Sequence, residues 1–219
     1  MKWAQVLGMR PGVTAVIGGG GKTTLLRMAG ETLAAAGFNV LLCTTTKIYP
    51  FSDLPCVTEP GEERLLAARA QSRLLCAGSS LDNGKLAAPA VPMARLKALF
   101  DYVLVEADGS AHLPLKAHAP HEPVIPPEAG EIICVVGASG FGKPIREVAH
   151  RPERYAALAG AGEGDLVTPR IAAKVLKAEK LHTGILINQA ELAAAQAQEL
   201  VRLLNCPAVA GSLKLGKLF

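Results

Sequence analysis

The sequence predicts a single α/β domain over residues 1–219, a mostly parallel central sheet carrying helices on both faces. Three observations point there. Short apolar runs rich in β-branched residues alternate along the chain with Ala/Leu-rich segments of helical periodicity. Half of the 219 residues are hydrophobic while aromatics make up only 4%, the composition of a sheet buried beneath aliphatic helices. One of the runs also leads directly through a glycine turn into a helix. A chain of this length can bury one substantial core, so one domain is expected.

The glycine turn is the stretch around which the other elements are organised. Val13 to Ile17 reads as a strand, Gly18-Gly19-Gly20-Gly21-Lys22-Thr23-Thr24 as a loop, and Thr23 to Ala36 as a helix stopped by Gly37. Glycines let backbone N–H groups converge on an anion, and a helix start adds free amides and a positive dipole end. In a phosphate-binding loop of this kind, Gly18 to Thr24 would cradle phosphate, Lys22 would reach the terminal phosphates, and the Thr23 hydroxyl would join a Mg2+ shell. The expected ligands are therefore ATP or GTP with Mg2+. The usual Walker A pattern asks for a glycine where Val16 stands. The Gly-Gly-x-Gly-Lys-Thr-Thr form instead resembles the ParA, nitrogenase-iron-protein and metallochaperone branch of P-loop proteins. Many of that branch carry a lysine where Ile17 stands, so a homodimer stays open here without a lysine to complete its site.

Val40 to Cys43 follows as a strand, and Thr44-Thr45-Thr46-Lys47 leaves it at the carboxyl end, where open α/β sheets place ligands. Thr45 and Lys47 are candidates for phosphate or metal contact; a Thr run that merely ends a strand is the alternative. Phe51 to Gly61, with its prolines, reads as an irregular excursion before a helix near Glu62. A short strand at Leu74 to Ala77, a turn at Leu81 to Gly84 and a helix at Met93 to Phe100 come next.

Tyr102 to Val105 is a strong strand run that delivers Glu106 and Asp108 to its carboxyl end. Acids there supply the metal-side group of a phosphate-binding fold. While the strand stays extended the two project alike. Asp108 is assigned to Mg2+ and Glu106 to a helper or water-orienting base, so Lys22, Glu106 and Asp108 form the candidate catalytic set. Ser110 to Pro127, rich in His and Pro, reads as a shaped loop near the site.

Ile132 to Val136 is another buried strand. After it, Gly137 to Lys143 meets the Walker A glycine spacing, but Pro144 brings neither hydroxyl nor N–H, so this second loop is read as a decoy. Thr168-Pro169 caps a helix from Arg170 to about Lys180. Gly184 to Ile187 is the last central strand. It ends in Asn188-Gln189-Ala190-Glu191, spaced like the guanine-recognition element of GTPases, although Glu191 equally suits the start of a helix running to Leu204. Cys206 to Ala210 reads as an edge strand.

Lys plus Arg is 23 against 19 for Asp plus Glu, a net +4 without a basic block. With few aromatics to stack bases, no nucleic-acid partner is expected. The cysteines show no CxxC spacing, which supports neither zinc nor a disulfide framework. No signal pattern or membrane-spanning run is read, so a cytoplasmic location away from membranes is expected.

Taken together, these blocks resemble the YqeC family, accessory proteins of selenium-dependent molybdenum hydroxylases. The resemblance rests on Gly18 to Thr24, Thr44 to Ile48, Tyr102 to Ser110, Leu113 to Lys116, His121 to Pro126, Gly142 to Pro144, His150-Arg151 and the Asn188 element. It implies a nucleotide- and Mg-dependent helper in maturing such a hydroxylase or its cofactor, with the molybdenum cofactor or the hydroxylase as partner. Three readings stay open: a nucleoside triphosphatase or phosphotransferase, a nucleotide-gated chaperone, and a non-hydrolysing molybdenum-cofactor-binding chaperone whose glycine loop holds the cofactor phosphate.

Overall fold

The computed structural model describes residues 3–219. Its centre is the strand Gly12–Gly18, buried along its whole length. Parallel neighbours flank it on both sides, Tyr102–Glu106 and Ala129–Gly137. Outward from the latter lie Gly184–Asn188 and Ala208–Ser212, and outward from the former lie Val40–Thr44 and Leu74–Ser80, all parallel. Only the margins are antiparallel: Lys217–Leu218 on one edge, with Leu86–Ala87 and Lys47–Ile48 on the other. The mostly parallel sheet read from the sequence is what forms.

Strand order positions the chemistry. The chain leaves the glycine loop, crosses to Val40–Thr44, and later inserts Tyr102–Glu106 into the gap, pairing Val16 with Glu106 on one side and Thr44 with Glu106 on the other. Three carboxyl ends carrying the glycine loop, the threonine run and the acids thus meet at one sheet edge, the edge on which such folds bind ligands.

Side chains alternate across the sheet, and each face is covered separately. The helix Lys22–Ala35 places Leu25, Leu26, Ala29 and Leu33 against Val16, Leu42 and Leu104 on one face. On the other, Leu65 and Leu96 from helices Glu62–Gln71 and Met93–Leu99 pack on Val13, Leu41 and Val103. Tyr155, Ala172, Val175 and Leu200, from helices Pro152–Ala159, Pro169–Glu179 and Ala194–Leu203, cover Ile17, Val136, Ile185 and Ile187 on that same face. Each fully buried large aliphatic side chain contributes about 1.5–3 kcal/mol of burial, so the central strand is clamped from both sides.

Two expectations change. The excursion Phe51 to Gly61 contains a strand, Cys56–Thr58, paired in parallel with Leu74–Ser80; three residues behind Pro55 are too few to show a period. The helix expected to start at Glu191 begins at Ala194, after a 3-10 turn over Ala190–Leu192, so Glu191 is not in its first turn.

Candidate functional site

The helix Lys22–Ala35 starts at Gly21 with no side-chain cap, leaving first-turn amides without intrahelical partners at the mouth of a cleft. The cleft, about 510 Å³, is lined by Gly20, Gly21, Lys22, Thr23 and Thr24 on one side and by Glu106 at its base. Its size falls within the roughly 300–1,000 Å³ of small-molecule sites. The loop backbone requires its glycines. Gly20 has φ +79°, and a Cβ there would lie 2.5 Å from the Gly137 Cα; one on Gly21, at φ +126°, would lie 2.5 Å from the Asn188 Nδ2.

The Thr23 hydroxyl donates to Glu106 Oε2 at 2.8 Å. Lys22, only 4% exposed, donates to the Gly18 carbonyl at 2.7 Å and lies 3.1 Å from Asp108 Oδ1 and 4.0 Å from Glu106 Oε1. Burial raises Glu106 above the ordinary carboxylate range, with Lys22 and Thr23 pulling the other way. A hydroxyl and a carboxylate side by side at the cleft base suit a hard cation such as Mg2+, which takes one or two protein oxygens and completes its shell with phosphate and water. Among the described residues no group of three or more His, Cys, Asp or Glu forms a metal cage, so a metal here would rely on that sparse set.

Asp108 lies elsewhere. The strand stops at Glu106, and both acids lie near Lys22, but only Glu106 reaches the cleft. Asp108 is fully buried and takes no part in lining the cleft. Its Oδ2 accepts from the Gly18 N–H at 2.9 Å, pairs with His118 Nε2 at 2.7 Å and lies 3.3 Å from Lys116 Nζ. His118 Nδ1 in turn meets Glu179 at 2.9 Å, while Lys116 meets Glu122 at 2.8 Å and Arg151 meets Glu122 at 3.0 Å. Glu106, Asp108, Glu122 and Glu179 thus face Lys22, Lys116 and Arg151, with the His118 imidazole held between Asp108 and Glu179. Burial lowers His118, but its bonds to Asp108 and Glu179 outweigh it and raise the imidazole above its usual value. For Asp108 burial acts upward, and His118, Lys22, Lys116 and the Gly18 amide overcome it and hold the carboxyl down.

The other sequence candidates divide. Lys47 lines the cleft. Gly18 and Gly19 do not; their amides are committed to Asp108 and to the Val135 carbonyl. Thr45 donates to the Val124 carbonyl at 2.6 Å and so anchors the His/Pro loop. Asn188 donates to the Gly20 carbonyl at 2.7 Å and accepts from the Leu213 N–H at 2.9 Å, which commits both ends of its amide to holding the glycine loop. Glu191 sits outside the cleft lining, with a buried Oε2 that has no hydrogen-bond partner. The second glycine loop packs against the first through Gly137, and Pro144 is followed by a helix of only four residues, Ile145–Val148. Reading the sequence missed Tyr49 and Lys85 as cleft residues. Tyr49 directly follows Lys47-Ile48 in a chain poor in aromatics, a usable signal. Lys85 has none, because only the pairing of Lys47–Ile48 with Leu86–Ala87 brings it in.

Comparison with known families decides the kinship. The family model described as "YqeC protein" matches residues 14–153, more than half of the chain. The chain belongs to the YqeC family. The matched segment runs from the central strand through the acids and His118 to Arg151, while Glu179 and the Asn188 element lie outside it. The uncharacterized protein YqeC of Escherichia coli (strain K12) is 36% identical over 158 residues, 69% of this chain and 62% of that protein's length. The chain therefore spans under two thirds of that relative. Among solved structures, the crystal structure of the hydrogenase maturation factor HypB from Archaeoglobus fulgidus aligns over 99% of this chain and 89% of that one, with a TM-score of 0.44 and 16% identity.

Proposed function

We propose that the cleft binds a nucleoside triphosphate with Mg2+, and that the protein is a nucleotide-dependent accessory factor in maturing a selenium-dependent molybdenum hydroxylase or its cofactor. One observation carries the nucleotide reading: Lys22, the Thr23–Glu106 pair and the uncapped helix start converge at the carboxyl edge of the parallel sheet. The amides of Gly21 to Thr24 receive phosphate oxygens, and the helix dipole favours their charge. Lys22 exchanges part of its contact with Gly18 and Asp108 for the terminal phosphates. Thr23 and Glu106 are the residues that would hold Mg2+, which would supply neutralisation of charge on the phosphate oxygens. Asp108 is the positioning residue beneath, fixing the Gly18 amide and Lys22 at once. Glu106, with its raised carboxyl, is also the group placed to orient a water. The molybdenum-hydroxylase context is supported by the family resemblance.

Calorimetry with Mg-ATP and Mg-GTP tests the reading. Saturable binding that disappears in Lys22→Ala is expected; equal affinity in wild type and variant would remove the loop from the site. Turnover measurements then separate a triphosphatase from a gated chaperone. Displacement of bound nucleotide by purified molybdenum cofactor would favour the cofactor-phosphate reading instead.

A further inference from the structure

The cleft has a second wall whose chemistry nucleotide binding does not require. Besides the glycine loop, the cleft is lined by Lys47 and Ile48 of the edge strand, Tyr49 just after it, Lys85 from the turn before Leu86–Ala87, and His112 from the segment after Asp108. Antiparallel pairing of Lys47 with Ala87 and Ile48 with Leu86 fixes this wall to the sheet. Lys22 and Lys116, the buried lysines of the site, are matched by carboxylates. Lys47 and Lys85 are not: among the described residues neither makes an ion pair. A triphosphate with Mg2+ is already met by Lys22 and the loop amides, so two further ammonium groups suit a second anion.

Among the described residues, Tyr49 is the only Phe, Tyr or Trp that lines the cleft. Tyr49 is 60% exposed, and the Lys85 Nζ rests 4.9 Å from its ring centroid. Such a contact at an exposed position is worth only about 0.5–1 kcal/mol, so it yields readily to a ligand. A planar ring can stack on Tyr49, releasing the Lys85 ammonium to a phosphate. Two lysines around one anion match a dianion better than a monoanionic carboxylate.

We propose that Lys47, Tyr49, Lys85 and His112 form a second subsite, which takes a planar-ring compound carrying a phosphate monoester while nucleotide occupies the glycine loop. The assignment of the two walls rests on the nucleotide reading above. It is tested by titrating 4-nitrophenyl phosphate into the protein saturated with Mg2+ and a non-hydrolysable ATP or GTP analogue, following the heat of binding by calorimetry and, in wild type, the Tyr49 ring signals by NMR. Saturable binding is expected, with Tyr49→Ala and Lys85→Gln each weakening the probe about tenfold or more and leaving nucleotide affinity within about twofold. 4-Nitrophenol and inorganic phosphate, each carrying half the chemistry, should bind more weakly. No saturable binding, affinity untouched by both variants, or strict competition between probe and nucleotide would each overturn the subsite. If nucleotide fails to bind at all while the probe still binds in a Tyr49-dependent way, the nucleotide reading fails and the subsite stands.

Discussion

Glu106 and Asp108 are both buried carboxylates within reach of Lys22, yet their surroundings give them separate tasks. Glu106 faces the cleft beside the Thr23 hydroxyl, whereas Asp108 is enclosed by an amide, an imidazole and two ammonium groups. Glu106→Gln should therefore weaken nucleotide binding ten- to a hundredfold with Mg2+ present and far less without it, the scale of one lost charge-assisted contact at about 1.5–3 kcal/mol. Calorimetry with and without the metal checks this. Asp108→Asn should instead cost folding stability, about 3–5 kcal/mol for breaking a buried pair and leaving its partners uncompensated, read by urea denaturation. Were the metal dependence lost in Asp108→Asn and kept in Glu106→Gln, the two roles would be reversed. Glu122 offers a pH test. Burial alone would raise it, but Lys116 and Arg151 hold its carboxyl down at about 2, from 4.5. A lowered folded pKa means stability that is present in full above the unfolded value and is lost as pH falls toward about 2. The stability gap between wild type and Glu122→Gln should be constant above about pH 5.5 and narrow steadily in acid. A gap that widens in acid would contradict the pairing.

At the level of elements, the helix ends show how local sequence and tertiary demand divide the work. Helix Pro169–Glu179 carries its own start signal: the Thr168 hydroxyl accepts from the Ile171 N–H at 3.2 Å, with Pro169 in the first turn. Thr168→Ala should cost about 0.5–2 kcal/mol in chemical denaturation without altering nucleotide affinity. The helix after the glycine loop has the opposite design, with no side-chain cap at Gly21. Its start is held by Asn188 gripping the Gly20 carbonyl and by Asp108 gripping the Gly18 amide. Gly20→Ala places a methyl against the Gly137 backbone at a positive φ, so it should abolish binding even where the fold survives. Retained nucleotide affinity in a folded Gly20→Ala protein would show that the loop is not the phosphate cradle. The short parallel pair Leu115–Lys116 with Ala149–His150 ties the His/Pro loop to the rest. It explains why blocks scattered along the sequence, Leu113 to Lys116, His121 to Pro126 and His150-Arg151, act on one site.

Across the whole molecule, the glycine loop is tied to the core on both faces of the sheet, since its strand is packed on either face and its helix covers one of them. A ligand bound only by the folded state stabilises the whole unit by mass action, about 2.7 kcal/mol at a hundred times its Kd. Saturating Mg-nucleotide should raise the melting temperature of wild type by several degrees and leave Lys22→Ala unmoved; calorimetric scans decide it. Among the described residues no helix is long and apolar enough to cross a membrane.

Much of this architecture is written in short-range signals. Apolar runs, helical periodicity, the glycine loop, the Thr168-Pro169 start and the acids after Tyr102 to Val105 all depend on neighbours a few residues apart, so the α/β class followed from the chain alone. What tertiary structure decided are matters of direction and partnership. Asp108 is kept out of the cleft lining by the Gly18 amide, His118 and Lys116, groups that tertiary structure brings to it. Asn188 serves the loop because Gly20 and Leu213 lie within its reach across long separations in the chain. The second wall exists because an antiparallel edge brings Lys85 to Lys47 and Tyr49. Spacing along a sequence specifies which groups are near one another only while the backbone stays regular; where it turns, strand order and packing choose which side chain meets solvent and which meets charge.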